Sequence, residues 1–492
     1  MTVLYRLPGF LACIALAGQV AATLAFVSGY FSVFESFTLT LPGIAGIILA
    51  IGMGVDANVI TAERIKEELK NGKSLDGALK SGFARGLTPI IDGNVTIVIV
   101  ASCSWVPSAP RMACLQGTAL CILCLRPLYR RHHLRLRLYA AHRRVAELRV
   151  RRVRYPCYDP WRSCHQGTAQ PVAVRRCKAG QEKAEKKPVN FVALRKKFLT
   201  FSACLMAVIL LCAAVFGVHL DTEFTGGAMI TLSYEGSFDQ AAVQKTAAAA
   251  LENTGLTLQT GENVATGDQT LKISMPGTET VTTEQVENLL DSLNENYPDN
   301  QFAQLSLSNV SAAMGTKFLQ KSLVAVVFAL VLILLYIALR FKNIGGLTGG
   351  MMAVLALVND LMVVFGTFVL LRTALDGNFI AAMLTILGYS INDTVVVYDR
   401  IRENRALMGK KGSFEELVNQ SVNQSARRTL ITTITTVMAL GVMCIVAKLY
   451  GLDSIFTFAF PLMMGMISGV YTSLCVSTSA WVLWSERSKK KN

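Results

Sequence analysis

Apolar stretches of about 20 residues, separated by short charged ones, make up most of the chain, and a helix needs about that many to cross a bilayer's hydrocarbon core. The pattern predicts spans over residues 10–31, 39–60, 86–100, 198–218, 318–339, 346–371, 379–398, 429–447 and 455–484. Residues 63–80 are a charged amphipathic stretch that reads as a cytoplasmic helix followed by the turn Asn71-Gly72-Lys73. Over 221–310 the pattern changes to alternating strands and amphipathic helices. It predicts a strand at 228–234, a helix at 238–253, strands at 256–259 and 269–274, a helix at 283–297 and a strand at 302–308. That βαββαβ order is the ferredoxin-like unit. The expected fold class is an all-α polytopic membrane bundle with one small α+β ferredoxin-like domain.

Charge fixes the orientation. Lys and Arg gather at 66–85, 195–197, Arg340 and Lys342, 400–428 and 489–491. The positive-inside rule places all of them on the cytoplasmic side and the 221–310 domain outside. An even number of crossings must then separate 66–85 from 195–197, yet only one good apolar run lies between them, since 112–125 is too short. The run from Phe10 follows Arg6 as a signal peptide's core would, but a second span follows at once, so a retained helix is read.

Composition adds that the chain is 52% hydrophobic and 16% charged with a net charge of +15. Such a charge would suggest nucleic acid or an anionic surface as partner, but much of the excess lies in residues 102–187. There every basic residue as far as Cys177 is Arg or His, and seven of the twelve Cys and four of the five His fall in this stretch. Three readings compete for it. Cys121 and Cys124 with His132 and His133 offer zinc ligands, without a second pair at finger spacing. An Arg-rich arm for RNA or lipid headgroups is the second. The reading preferred is a stretch translated out of frame between two in-frame halves. The cysteines elsewhere form no disulfide framework. No Walker-type phosphate loop, metal motif or activated nucleophile is visible, so the chain does not read as an enzyme.

The chemistry is concentrated in a repeat. GMGVDANVITAERIKEE from Gly52 and GYSINDTVVVYDRIREN from Gly388 align at a constant offset of 336, which lays Asp56 on Asn392, Arg64 on Arg400 and Glu67 on Glu403. Secondary transporters are often built from two such halves with polar groups near mid-membrane at their interface. A charged side chain there costs several kcal/mol unless paired, hydrated or protonated. The candidates are Asp56, Asp393, Asn392 and Arg428 as a proton relay, with Asp360 and Arg427 behind them. Desolvation disfavours the charged form of an embedded carboxyl, and an arginine brought close favours it again. The hydroxyls of Thr429, Thr432, Thr433, Thr435 and Thr436 offer a hydrated path beside Arg428. For Asn392 the plainer role is a helix–helix hydrogen bond, for Asp360 packing or capping, and for Arg427, Arg64, Arg400 and Arg402 headgroup anchoring.

At these motifs the chain resembles the fused SecD and SecF protein-export membrane proteins of the resistance-nodulation-division superfamily. LPGIAGIILAIGMGVDANVITAERIKEEL (41–69) is similar to the fourth helix of the SecD half; LDTEFTGGAMI (220–230), FKNIGGLTGG (341–350), GYSINDTVVVYDRIREN (388–404) and SARRTLITTITT (425–436) are similar to a whole SecF half. The resemblance divides the chain into a partial SecD-like half (1–101), the anomalous segment (102–187), a first SecF-like helix (188–219), an extracytoplasmic domain (220–317), a five-helix bundle (318–485) and a basic tail (486–492). It implies a multi-pass protein of the bacterial cytoplasmic membrane that assists the SecYEG translocon after SecA has pushed preproteins. YajC and YidC are further candidate partners, protons the coupling ion, and no cofactor, metal or nucleic acid is expected. By motif, Asp56, Asp393 and Arg428 would carry protons, and Phe224, Thr225, Gly226 and Gly227 would mark the external domain that meets the emerging chain. A proton-coupled exporter of small molecules or lipids from the same superfamily is the alternative. Relative to that family the chain reads as truncated in its SecD half, with the fifth helix cut short and the sixth replaced by the Arg-rich segment.

Overall fold

The computed structural model describes residues 7–27, 41–104, 189–236, 238, 240–251, 256–262, 269–276, 281–409 and 413–491. Its elements in order are α1 (Leu7–Val27), α2 (Leu41–Lys70), α3 (Leu75–Ser104), α4 (Arg195–Phe216), the single turn α5 (Thr222–Thr225), β1 (Gly227–Tyr234), α6 (Gln240–Ala250), β2 (Thr257–Glu262), β3 (Gln269–Pro276) and α7 (Thr283–Asn296). There follow β4 (Ala303–Val310), α8 (Ala312–Arg340), α9 (Gly346–Leu371), α10 (Gly377–Met408), α11 (Phe414–Leu449), α12 (Asp453–Tyr471) and α13 (Thr478–Lys491). A π-helical segment, Thr472–Ser477, joins the last two. Seven helices among the described residues are long and apolar enough to cross a membrane, and the fold is the polytopic helical bundle with a small sheet that the sequence predicts. The zinc candidates, and all of the anomalous segment 102–187 with its Arg-rich-arm and out-of-frame readings except residues 102–104, lie outside the described residues.

α10 is the axis of the bundle, buried along its apolar stretch by α3, α9, α11 and α12. The outer helices show why the remaining runs are apolar without being buried. Val324, Val327, Val331 and Leu335 on α8, and Leu430, Ile434, Met438, Val442 and Ile445 on α11, recur every three or four residues and stay exposed. Such a stripe is a face turned to lipid. One expectation is corrected: the helix expected from Glu63 is not a separate element, although the turn after it lies where the sequence places it. α2 continues unbroken from its apolar part to Lys70, the turn closes at Gly72 (φ 81°), and α3 runs through from Leu75. A change from apolar to charged residues alters what surrounds a helix but leaves its backbone hydrogen bonds intact, so only the Asn71-Gly72 turn breaks it.

The small domain is built on a four-stranded antiparallel sheet in the order β2-β3-β1-β4. Ile230 and Leu232 of β1 and Leu271 and Ile273 of β3 point to one face, where Val243 and Ala247 of α6 and Val286, Leu289 and Leu293 of α7 cover them. Alternation in the strands and a three- or four-residue period in the helices put these side chains into one core. α7 is held at its start by Thr282 and Gln285, each bonding the other's backbone N–H.

Candidate functional site

The two repeat-related helices, α2 and α10, meet at their polar residues. Asn392 donates from Nδ2 to Asp56 Oδ2 at 3.2 Å, so the two positions that the offset of 336 superposes touch each other. Arg428 reaches the same carboxylate from α11, with Nε 3.3 Å from Oδ1 and Nη2 3.5 Å from Oδ2. Asp393 is the next residue along α10; it is 3% exposed, and its Oδ2 has no hydrogen-bond partner among the described residues. Asp56, Arg428 and Asp360 all act on it electrostatically. A buried carboxyl oxygen without a hydrogen bond, within electrostatic reach of an arginine that pairs with another carboxylate, is chemically able to take up a proton.

Two glycines allow this close approach. A Cβ at Gly52 would stand 2.6 Å from Thr436 Oγ1, and one at Gly93 of α3 would fall on Asn392 Oδ1. Gly93 is a supporting position that the sequence reading missed; the only trace is a small residue beside Asp92. α11 turns Thr429, Thr432, Thr433 and Thr436 inward, and among the described residues the Thr429 hydroxyl has no partner. The Tyr389 hydroxyl donates to Thr436 Oγ1 at 3.4 Å and carries the polar lining away from Arg428.

Of the secondary candidates, Asp360 is wholly buried and accepts hydrogen bonds from Ser390, Ser468 and Thr472. Arg427 is exposed on α11, apart from the cluster. Arg64 and Arg400 are not the headgroup anchors expected of them. Arg64 pairs with Glu403 at 2.8 Å and Arg400 with Glu67 at 3.2 Å, while each also pairs with the glutamate three residues along its own helix. These four side chains form a ring that crosses the repeat interface reciprocally. Arg402 pairs with Asp399 and lies over the Phe341 ring. Asp92, inside the apolar run predicted over 86–100, takes Arg340 Nε at 2.9 Å and the Tyr336 hydroxyl at 3.2 Å.

The motif Phe224-Thr225-Gly226-Gly227 is not among the acids but adjoins the N-terminal end of the same axial helix. Phe224 is buried against Phe318, with ring centroids 5.6 Å apart, and the Thr225 hydroxyl donates to the Asp221 carbonyl. Gly226 and Gly227 adopt φ of 79° and 131°, values that a side chain makes costly. The preceding Glu223 accepts the N–H of Gly377, the first residue of α10, at 2.7 Å. Asp376 caps that helix by accepting from Phe379 N at 3.2 Å. Burial pushes the Asp376 carboxyl up to about 7, with the negative charges of Glu223 and Asp221 adding to the effect and Lys272 opposing it.

Residues 289–487 match the family model described as "Protein export membrane protein SecD/SecF, C-terminal". The protein translocase subunit SecF of Petrotoga mobilis is 31% identical over 310 residues, which take in 61% of this chain and 98% of that one. The chain belongs to the SecD/SecF family. SecDF of Bacillus subtilis is 30% identical over 494 residues, covering 99% of this chain and 62% of that protein, so the chain spans less than two thirds of this relative's length. The crystal structure of SecDF from Thermus thermophilus, described as a translocon-associated membrane protein, matches with a TM-score of 0.73 at 27% identity, over 98% of this chain and 59% of that one. Membership, together with the apolar helices, makes the chain a multi-pass protein of the cytoplasmic membrane. The SecD/SecF model covers Asp360, Asn392, Asp393 and Arg428, whereas Asp56 lies in the SecD-like part outside it.

Proposed function

We propose that this chain is the proton-driven auxiliary of the Sec preprotein translocase, assisting late steps of export across the cytoplasmic membrane. The observation that supports it most is the meeting of Asp56, Asn392 and Arg428 beside the unbonded carboxyl oxygen of Asp393, at the interface of two repeats. Protons arriving along the threonine face of α11 load Asp393. Neutralising it frees Arg428 to bind Asp56 alone, and moving Arg428 toward Asp393 expels the proton again. Each charge carried across the membrane potential yields about 2.3 kcal/mol per 100 mV. The names of the relatives, protein translocase subunits SecDF and SecF, support export over the transport of small molecules or lipids.

α10 carries Asp393 at its middle and meets Glu223 and Asp376 at its outer end. A shift at the proton site is therefore passed to the external sheet through the Phe224–Gly227 turn, where a polypeptide leaving the translocon would be held. The partners that fit this reading are SecYEG, preproteins delivered by SecA, and YajC and YidC. Protons alone serve as coupling ion. The test is preprotein movement in inverted vesicles carrying a proton gradient, comparing the chain with Asp393→Asn. Loss of the gradient-dependent step with the ATP-driven step retained is the expected outcome; equal gradient-driven movement in both would refute the reading.

A further inference from the structure

Asp360 lies on the side of α10 that faces α9 and α12, and it is 0% exposed. Its Oδ2 accepts from Ser390 at 2.6 Å and Thr472 at 2.9 Å, and its Oδ1 from Ser468 at 2.6 Å and Thr472 at 2.9 Å. Among the described residues it makes no ion pair. α10 brings Ser390 and, one turn on, Asp393; the α12 and π-helical region brings Ser468 and Thr472; and α4 brings Ser202, which bonds the neighbouring Asn359 at 2.7 Å. None of these groups is basic. Three hydroxyl dipoles moderate a negative charge but do not cancel it, and an isolated ionised carboxylate in a low-dielectric interior is costly. A proton is the one counter-charge that needs no further room.

We propose that Asp360, with the hydroxyls of Ser390, Ser468 and Thr472, is a second proton-binding carboxyl of the bundle, exchanging its proton through Ser390 with the Asp393 side. This rests on the proton-relay reading above and extends it to a second branch. A hydroxyl both donates and accepts. All three can therefore hold the anion as donors, and any of them can turn to accept from the neutral acid without backbone movement. Where Ser390 must turn, its neighbour is Gly469, whose Cβ, if present, would stand 3.1 Å from Ser390 Oγ. The seam continues from there. Thr394 bonds Ser473 at 2.8 Å, and Tyr398 bonds Ser477 at 2.6 Å, two hydroxyl pairs in the same register, four residues apart. Thr472, Ser473 and Ser477 all lie on the π-helical segment. Single π turns inside α-helices recur at functional sites.

A purely structural Asp360, stitching α9 to α10 and α12, would be replaced by asparagine at little cost, since the hydroxyls can turn to suit an amide. The whole chain, reconstituted in vesicles, is titrated while the infrared stretch of protonated carboxyl groups is recorded. Asp360→Asn is expected to remove one component and Asp393→Asn another. A spectrum of Asp360→Asn that matches the unmodified chain at every pH overturns the proposal. Should Asp360→Asn not fold, Ser468→Ala with Thr472→Val keeps the carboxyl and strips two donors, which moves the pH at which its component disappears; an unmoved component overturns the proposal equally. In gradient-driven preprotein movement, Asp360→Asn is expected to lower the rate by about a hundredfold, the lower end of what a positioned proton-transfer group contributes, and to change its pH profile. Full activity of Asp393→Asn would instead refute the relay itself. Abolished activity in Asp393→Asn, with Asp360→Asn unaltered in rate and pH profile, would refute only the second branch.

Discussion

The four-membered ionic ring toward the C-terminal ends of α2 and α10 gives the sharpest energetic prediction, because the repeat makes its two cross-pairs equivalent in sequence and the structure makes them unequal in environment. Arg64 and Glu403 are 12% and 24% exposed, whereas Arg400 and Glu67 are 15% and 40% exposed. At an effective dielectric constant of about 20, unit charges about 4 Å apart attract by about 4 kcal/mol. Ordering the arginine side chain costs about 2 kcal/mol, so the Arg64–Glu403 coupling should be about 1–2 kcal/mol. Glu67 is more than a third exposed, and solvent screening should hold its coupling to Arg400 to about 0.2–1 kcal/mol. The assay is a pair of double-mutant cycles, Arg64→Ala with Glu403→Ala and Arg400→Ala with Glu67→Ala, read as unfolding free energies of the detergent-solubilised chain in low and in high salt. The first coupling should exceed the second and survive about 1 M salt, at which the screening length is about 3 Å, better than the second does. Equal couplings, or a larger one for Arg400 and Glu67, would refute the argument that burial rather than sequence symmetry sets the energy.

Three further outcomes follow from single contacts. Gly93→Ala puts a methyl group where Asn392 Oδ1 lies, so it should break the Asn392–Asp56 bond and destabilise the chain by about 1–3 kcal/mol. Adding Asn392→Ser should recover part of that loss in thermal unfolding. Gly226→Ala, at φ 79°, should cost about 1–3 kcal/mol and loosen the sheet from α10, measurable as faster amide exchange in β1. Asp376 gives a pH dependence: its carboxyl titrates near 3.8 unfolded and at about 7 folded. Between those values the folded state keeps a proton that the unfolded state has released, so stability falls as pH rises through the window and levels off above it. Asp376→Asn retains an oxygen to cap Phe379 N and removes this dependence. Its unfolding midpoint should therefore gain on the unmodified chain between about pH 4 and about pH 7, and parallel curves would refute the assignment.

Much of the bundle was legible because lipid imposes one rule on sequence: an apolar run long enough to cross must close its own backbone hydrogen bonds as a helix. The sheet domain was legible for a related reason, since its strands and helices differ in apolar period. Strand β1, for example, alternates Ala228, Ile230 and Leu232 inward. Asp56, Asp393 and Arg428 stood out because charge is conspicuous against such a background. What sequence could not supply was partnership between elements far apart in the chain. Asp92 finds Arg340 248 residues away, and the three hydroxyls on Asp360 come from as far as 112 residues on. Arg64 and Arg400 looked like anchors because positive-inside statistics describe distance from lipid and say nothing about a glutamate arriving from the other repeat.

The repeat itself explains why these partnerships lie where they do. Two copies of one motif related by a two-fold axis bring equivalent residues together near the axis, and residues further along form reciprocal crossed pairs. Asn392 on Asp56 is the first kind of contact, and the Arg64–Glu403 and Arg400–Glu67 pairs are the second. At the axis the symmetry is broken: an aspartate faces an asparagine there, so Arg428 meets a single negative charge. The second acid, Asp393, is moved one residue along α10, which turns it about 100° away from its neighbour on a helix of 3.6 residues per turn. Two aspartates facing each other on the axis would compete for Arg428 in every state. Offset by one residue, they can be served in turn, as the proposed relay requires.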